Sequence, residues 1–264
     1  MSILYTALSL GVLGTICGLL LSLAYKKLNV KTDPRIEQIT ECLGGANCGG
    51  CGYAGCEAFA QAVLEGKADP ALCVSAPDEK LKEIGKIMGI DVTPTQKKVA
   101  VVLCHGCDGI AKPRYTYDGL KSCLLASSMA GGPKLCEFSC VGLGDCVKAC
   151  PFGALSIEKG LAKVNNELCT GCGTCIPVCP RSILELMPYA KNAIVRCKNT
   201  NVARVARASC SSACIGCKKC ERTCQHDAIH VINGVAIVDN DKCTGCSECV
   251  EGCPCNCIDM GPAD

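Results

Sequence analysis

Twenty-nine of the 264 residues are cysteine, and most of them fall into runs. Cys169, Cys172, Cys175 and Cys179, followed by Pro180, are spaced C-x2-C-x2-C-x3-C-P, and Cys243, Cys246, Cys249 and Cys253, followed by Pro254, repeat the pattern. Three thiolates two residues apart can wrap one cube of iron and sulfide, and the fourth, just before the proline, reaches a second cube. A zinc ribbon asks instead for two separated cysteine pairs. The chemistry on offer is electron transfer through 4Fe-4S clusters, with a structural zinc protein as the non-redox alternative. A third set, Cys48, Cys51, Cys56 and Cys73, has the uneven spacing C-x2-C-x4-C-x16-C among glycines that let the backbone curl around a cluster.

The elements that position these thiols repeat. With an offset of 74 residues, nine cysteine pairs match: 123/197, 136/210, 140/214, 146/220, 150/224, 169/243, 172/246, 175/249 and 179/253. CPFGALSIEKGLAKVNNELCTGCGTC aligns without a gap to CQHDAIHVINGVAIVDNDKCTGCSEC, which indicates two copies of one unit. Each copy resembles a bacterial two-cluster ferredoxin, with hairpin strands, short helices and two cubes bound by crossed ligand sets. In such a fold a three-ligand loop serves one cube, and the chain then turns into a short helix pointing at the other. The resemblance implies that Cys243, Cys246 and Cys249 pair with Cys224, that Cys214, Cys217 and Cys220 pair with Cys253, and that Cys169, Cys172 and Cys175 pair with Cys150. The fourth cube is irregular. Position 143 is Leu where the second copy has Cys217, which leaves Cys140, Cys146 and Cys179. Cys136 is expected to replace the missing ligand, and a three-cysteine cube is the alternative. Five clusters are expected. Cys104, Cys107, Cys123, Cys197 and Cys210 are left over, so a sixth stays open.

Ahead of the repeat, residues 1–25 carry no charged side chain, and Lys26, Lys27 and Lys31 follow. Ile3 to Tyr25 would span about 34 Å as a helix, enough to cross a bilayer. The basic residues beyond it predict an N-terminus outside and cluster domains in the cytoplasm. A cleaved signal peptide is the alternative, but no basic residue precedes the apolar run. Gly14 and Gly18 form a GxxxG pair, a weak signal, and Cys17 reads as packing. Glu57–Glu65 reads as a short helix ended by Gly66 that returns Cys73 to the first set. Residues 78–95 read as an amphipathic helix and linker, with Leu81, Ile84 and Met88 inward and Lys80, Lys82 and Lys86 outward. Val99–Leu103 reads as a buried strand. The expected division is an anchor at 1–25, a cluster module and linker at 26–95, and ferredoxin units at 96–190 and 191–264, an α+β chain.

Composition bounds the rest. With no Trp and three Phe, clusters must fill part of the core. The odd cysteine count and C-x-x-C spacing argue against a secreted disulfide scaffold. Each cube with four thiolates carries about −2, so five would take the formal +2 of the chain to about −8. No G-x-G-x-x-G opens a helix after a strand, and no C-x-x-C-H is present, so neither a dinucleotide site nor a haem attachment is visible. His105, His226 and His230 are too scattered for a Rieske pair and read as surface or packing residues. Arg204 to Arg207 lacks the aromatic interleaving of a nucleic-acid face. No Ser–His–Asp pattern occurs, so the chain is expected to move electrons and to do no bond chemistry of its own.

LGGANCGGCGYAGC after one apolar N-terminal helix, and VGLGDCVKACPFGA at 141–154, carry a resemblance over nearly the whole chain. The chain resembles the B subunit of Rnf electron-transport complexes, and its first cysteine set resembles the small Fe4 module found there and in corrinoid iron–sulfur proteins. Cys42, Cys255 and Cys257 depart from the pattern. The resemblance implies a single-pass protein at the cytoplasmic membrane that takes electrons from soluble reduced ferredoxin. It would relay them to the other subunits while the complex exports sodium ions or protons, and no nucleic acid is involved. A ferredoxin-like component of another membrane dehydrogenase is the alternative within redox chemistry.

Overall fold

The computed structural model describes residues 2–28, 33–93 and 96–261. Helix α1 spans Ser2–Leu28, and its described side chains, from Tyr5 to Ala24, are exposed. Among the described residues no helix is long and apolar enough to cross a membrane. The unbroken run of described side chains in α1, Leu10 to Ala24, covers only about 22 Å of helix.

Three helices build the module that follows. Helix α2 (Pro34–Cys42) starts on Asp33, whose Oδ1 accepts the Arg35 N–H at 2.9 Å, with Pro34 at the first position. Helix α3 is Cys56–Leu64, and a short 3-10 turn, Pro70–Leu72, returns the chain toward it. Helix α4 (Asp78–Met88) carries Asp78 and Glu79 in its first turn, where they face the positive end of the helix dipole. It stops at Gly89, which adopts the left-handed conformation that glycine tolerates. Ile39, Leu43, Phe59, Val63, Leu81 and Ile84 pack into one small core. The short helix expected at 57–65 and the amphipathic helix from 78 lie where the apolar spacing placed them.

The rest is built from four two-stranded antiparallel sheets. In the first unit β1 (Lys98–Val102) leads to α5 (Cys123–Ser128), α6 (Asp145–Ala149), the hairpin β2 (Leu155–Glu158) and β3 (Leu161–Val164), and β4 (Leu184–Pro188). Strand β1 pairs with β4, Val99 opposite Met187 and Val101 opposite Glu185. In the second unit β5 (Ala193–Val195) leads to α7 (Ala203–Ser209), α8 (Lys219–Thr223), the hairpin β6 (Ile229–Ile232) and β7 (Val235–Val238), α9 (Glu248–Glu251) and β8 (Ile258–Met260). Strand β5 pairs with β8, as β1 does with β4. Both hairpins turn on two residues of positive φ, Lys159–Gly160 and Asn233–Gly234, the geometry that matches strand twist. Beneath each turn lies a glycine of the preceding cysteine loop: a side chain on Gly142 would strike the Gly160 carbonyl, and one on Gly216 would meet that of Gly234 at 2.9 Å.

The two units share a seam. Side chains alternate along β5, so Ala193 and Val195 enter the second core while Ile194 enters the first. Around this strand Arg196 Nη1 donates to the Val102 carbonyl at 2.9 Å, Lys198 pairs with Glu185, and His105 Nε2 lies 2.8 Å from Asp259 Oδ2. His105, expected to be an ordinary surface or packing residue, clasps one unit to the other.

Candidate metal centres

Among the described residues four cavities of similar size are each lined by four or more cysteines. In the N-terminal module Cys48, Cys51, Cys56 and Cys73 line about 300 Å³ with Leu43, Asn47 and Phe59. Cys56 opens α3, where Asn47 Oδ1 accepts its N–H at 2.8 Å, and Cys73 follows the 3-10 turn. This module touches the first unit backbone to backbone. A side chain on Gly50 would meet the Cys172 carbonyl oxygen at 3.0 Å and its Cα at 3.1 Å, so it would press the two backbones a few tenths of an ångström apart.

In the second unit Cys224, Cys243, Cys246 and Cys249 line about 360 Å³, and Cys214, Cys217, Cys220 and Cys253 line about 320 Å³ together with Cys255 and Cys257. Helix α8 lies between Cys220 and Cys224, and α9 carries Cys249 and ends just before Cys253, so each short helix links one set to the next. In the first unit Cys150, Cys169, Cys172 and Cys175 gather around one point. Burial pushes the Cys175 thiol up to about 11, and Cys169, Cys172 and Cys150 each add to the rise. Strands β1 and β5 play the same part in the two units: Ala100 N–H donates to Cys169 Sγ at 3.3 Å and Ala193 N–H to Cys243 Sγ at 3.4 Å.

The irregular set departs from its expected membership. Cys123, Cys140, Cys146 and Cys179 line about 370 Å³, and Cys136 does not face this cavity. Burial pushes Cys146 up to about 12, with Cys140, Cys123 and Cys179 adding to it. Asp145, at the start of α6, brings Cys123 there: its Oδ2 accepts from Ser122 Oγ at 3.1 Å and from Leu124 N–H at 3.2 Å, which ties α5 to α6. Cys136 is turned away. Ser139 donates to its carbonyl through N–H at 3.2 Å and through Oγ at 2.7 Å, and its Sγ meets Asn199 Nδ2 at 3.4 Å. The repeat pairing of Cys123 with Cys197 marked Cys123 as part of the unit, but nothing in its spacing linked it to the place of Leu143.

Among the described residues no three or more His, Cys, Asp or Glu side chains draw together closely enough to hold a single metal ion. The cavities offer room for a larger group, walls of thiols and apolar atoms, and N–H donors aimed at sulfur. Those features fit a 4Fe-4S cube, whose bridging sulfides and corner irons occupy the centre while thiolates bind from outside. Burial also raises Cys140, Cys220 and Cys249 to about 11, so without a cluster these thiols stay protonated at neutral pH. Cys214 is the exception. Cys257 beside it lowers the Cys214 thiol and is itself raised, and Cys257 Sγ lies 3.6 Å from Cys253 Sγ. Cys42 is buried beside Glu83 and lines no cavity.

The class this defines is a ferredoxin-type iron–sulfur electron carrier with an added cluster module. Residues 43–75 match the family model for an Fe-S cluster module, and residues 139–184 match that of the 4Fe-4S dicluster domain. Over 94% of its length the chain is 43% identical to the B subunit of the Na(+)-translocating ferredoxin:NAD(+) oxidoreductase complex of Acetobacterium woodii, of which it covers 75%. It is 39% identical to the B subunit of the ion-translocating oxidoreductase complex of Methanosarcina acetivorans, again over 94% of the chain and 94% of the relative. A third relative, the B subunit of the proton-translocating ferredoxin:NAD(+) oxidoreductase complex of Clostridium ljungdahlii, is 37% identical over 94% of the chain and 88% of its own length. The chain belongs to the family of B subunits of Rnf-type ion-translocating oxidoreductase complexes, and it is an iron–sulfur electron-transfer protein of such a complex.

Proposed function

We propose that the chain is a relay of 4Fe-4S clusters that takes electrons from soluble reduced ferredoxin and hands them to membrane partners in its complex. The observation that carries this is the adjacency of the cysteine sets. The module set meets the first unit at Gly50 and Cys172, and Cys175 of the next set bears on Cys146 of the one after it. Within the second unit α8 and α9 join the two sets. The ligands are Cys48, Cys51, Cys56 and Cys73; Cys150, Cys169, Cys172 and Cys175; Cys123, Cys140, Cys146 and Cys179; Cys214, Cys217, Cys220 and Cys253; and Cys224, Cys243, Cys246 and Cys249. Each cluster, when bound, supplies a one-electron couple. The protein holds the cubes in order, keeps water from them with Ala, Val, Ile and Leu, and tunes them through N–H donors on sulfur.

The domain division at 25, 95 and 190 is part of the same reading. Helix α1 anchors the chain in this reading, N-terminus outside, because residues 1–25 carry no charge, Lys26 and Lys27 follow, and the described leucines of α1 are exposed. Coupling of the electron flow to Na+ or H+ export belongs to the complex, since the named relatives translocate one or the other.

The test is anaerobic purification of the full chain, followed by metal analysis and stopped-flow mixing with reduced ferredoxin. At least about 20 iron per chain and rapid bleaching of the cluster absorbance are expected. Stoichiometric zinc with trace iron overturns the relay. A reduced ferredoxin that leaves the clusters oxidised overturns its electron donor.

A further inference from the structure

Four cysteines outside the five sets, three of them buried and Cys197 half-buried, lie together at the seam between the units. Cys104 follows β1 and Cys136 precedes the loop of Cys140, both in the first unit. Cys197 follows β5 and Cys210 follows α7, both in the second. Cys136, Cys197 and Cys210 pack with Ala111, Ala206 and Ala213 in one small core. The four act on one another: Cys104 and Cys136 both bear on Cys210, and Cys136 bears on Cys104 and on Cys197.

Every one of these sulfurs is offered N–H donors. Cys104 Sγ accepts from Gly106 N–H at 3.2 Å and from Cys140 N–H at 3.4 Å. Cys136 Sγ accepts from Nδ2 of Asn199, a side chain only 1% exposed, at 3.4 Å. Cys197 Sγ accepts from Cys214 N–H at 3.3 Å, and Cys210 accepts from the backbone of Ser212. Burial pushes the Cys104, Cys197 and Cys210 thiols up, and the N–H donors work against that rise, because a thiolate accepts a hydrogen bond more strongly than a neutral thiol does. Beside them lies a buried cation. Lys134 is 8% exposed, and its Nζ donates at 2.7 Å to the carbonyls of Gly106 and Gly160. Its charge acts on Cys104 and Cys210. Among the described residues none of the ion pairs includes it. A buried charge is costly unless an opposite charge or a metal site answers it. Four thiolates around a 4Fe-4S core of charge +2 would carry about −2.

We propose that Cys104, Cys136, Cys197 and Cys210 hold a sixth 4Fe-4S cluster, shared between the two ferredoxin units, with Lys134 as its buried counter-cation. The proposal rests on the relay of the preceding subsection and supplies its missing step. Cys140, a ligand of the first unit, donates its N–H to Cys104, and Cys214, a ligand of the second, donates to Cys197. A cube held by these four thiols would lie between those two sets and would supply a one-electron couple there. On assembly the four thiols lose their protons and form four Fe–S bonds.

The test counts iron and acid-labile sulfide in the full chain, anaerobically purified, and in its Cys136→Ala/Cys210→Ala variant. About 24 iron is expected in the unaltered chain and about 20 in the variant, with the paramagnetic signals of the other cubes retained on reduction. Lys134→Met should keep the iron and move one cluster to lower potential. About 20 iron in the unaltered chain overturns the sixth site and leaves the five sets standing, and this count decides even where the double variant does not fold. About 24 iron in both proteins overturns the ligand assignment. Far less iron with zinc in its place is the distinct failure of the whole relay.

Discussion

The two ferredoxin-type units carry the same hairpins and the same pattern of cysteine runs, yet they differ around one cavity. In the second unit the loop supplies Cys217, and Cys257 Sγ lies 3.6 Å from Cys253 Sγ, near enough to donate its S–H to a thiolate there. In the first unit the corresponding positions are Leu143 and Ile183, and the fourth thiol comes from Cys123 on α5. The same backbone cage can therefore be completed from within the loop or from a neighbouring helix. In the proposed reading the first unit would enclose its cube in apolar side chains, and the second would place an additional thiol beside its own.

Removing the borrowed ligand should have the largest effect. Cys123→Ala is expected to lose about four iron per chain, or to convert one cube to a three-iron form with a signal in the oxidised protein. Leu143→Cys in that background should restore the cube, because it returns to the first unit the ligand position that the second retains. Cys136→Ala should not be rescued by Leu143→Cys. Rescue of Cys136→Ala, with Cys123→Ala unharmed, would return the ligand role to Cys136 and end the comparison as drawn.

A smaller effect is expected at Cys257. Cys257→Ala should leave iron unchanged and lower the potential of the second unit's cube, since hydrogen bonds to cluster sulfur favour the reduced, more negative state. At ~1 kcal/mol per hydrogen bond, the shift for one electron is about 40 mV. Ile183→Cys should move the first unit's cube the opposite way. Redox titration followed by electron paramagnetic resonance reads both, and equal potentials in all three proteins would show that the S–H makes no difference between the units.

The smallest effect concerns the seam. Asp259 raises the pKa of His105 through a hydrogen bond and its charge, against the opposing effect of burial. Burial opposes the shift of Asp259, but the hydrogen bond and charge of His105, with Arg196 beside it, hold it below the usual carboxylate value. The stability that His105 contributes is full below about pH 6.5 and is lost as pH rises through its raised value, whereas that of Asp259 is lost as pH falls through its depressed one. The clasp is thus strongest in mildly acidic solution. Both side chains are about one-third exposed, so solvent screens the pair and the effect on melting temperature is modest. His105→Gln should flatten the loss of thermal stability between mildly acidic and alkaline pH, and an unchanged profile would remove His105 from the seam.

Much of this was legible in the sequence, for a specific reason. A cysteine run fixes its own local backbone, and a repeat without gaps carries the hairpins with it, so the sets built from Cys169 and Cys243 could be placed from spacing. Cys123 could not. It reaches its cavity because Asp145 draws α5 onto α6, a contact between segments more than twenty residues apart. Proximity along the chain favoured Cys136, but the turn closed by Ser139 points that thiol across the seam to Asn199. Lys134 was equally silent, since only burial distinguishes it from any surface lysine.

Gly50 has a consequence of another kind. Its bare α-carbon allows the Cys48–Cys51 loop to lie on the backbone of Cys172, and nothing else at that position would fit without parting the two. Electron tunnelling decays exponentially with the gap to be crossed, and conductors joined end to end pass current only as fast as their widest gap permits. A single hydrogen atom in place of a side chain therefore acts as a spacing gauge. A methyl group there would part the two by a few tenths of an ångström and so slow this one proposed step modestly while leaving every cluster intact.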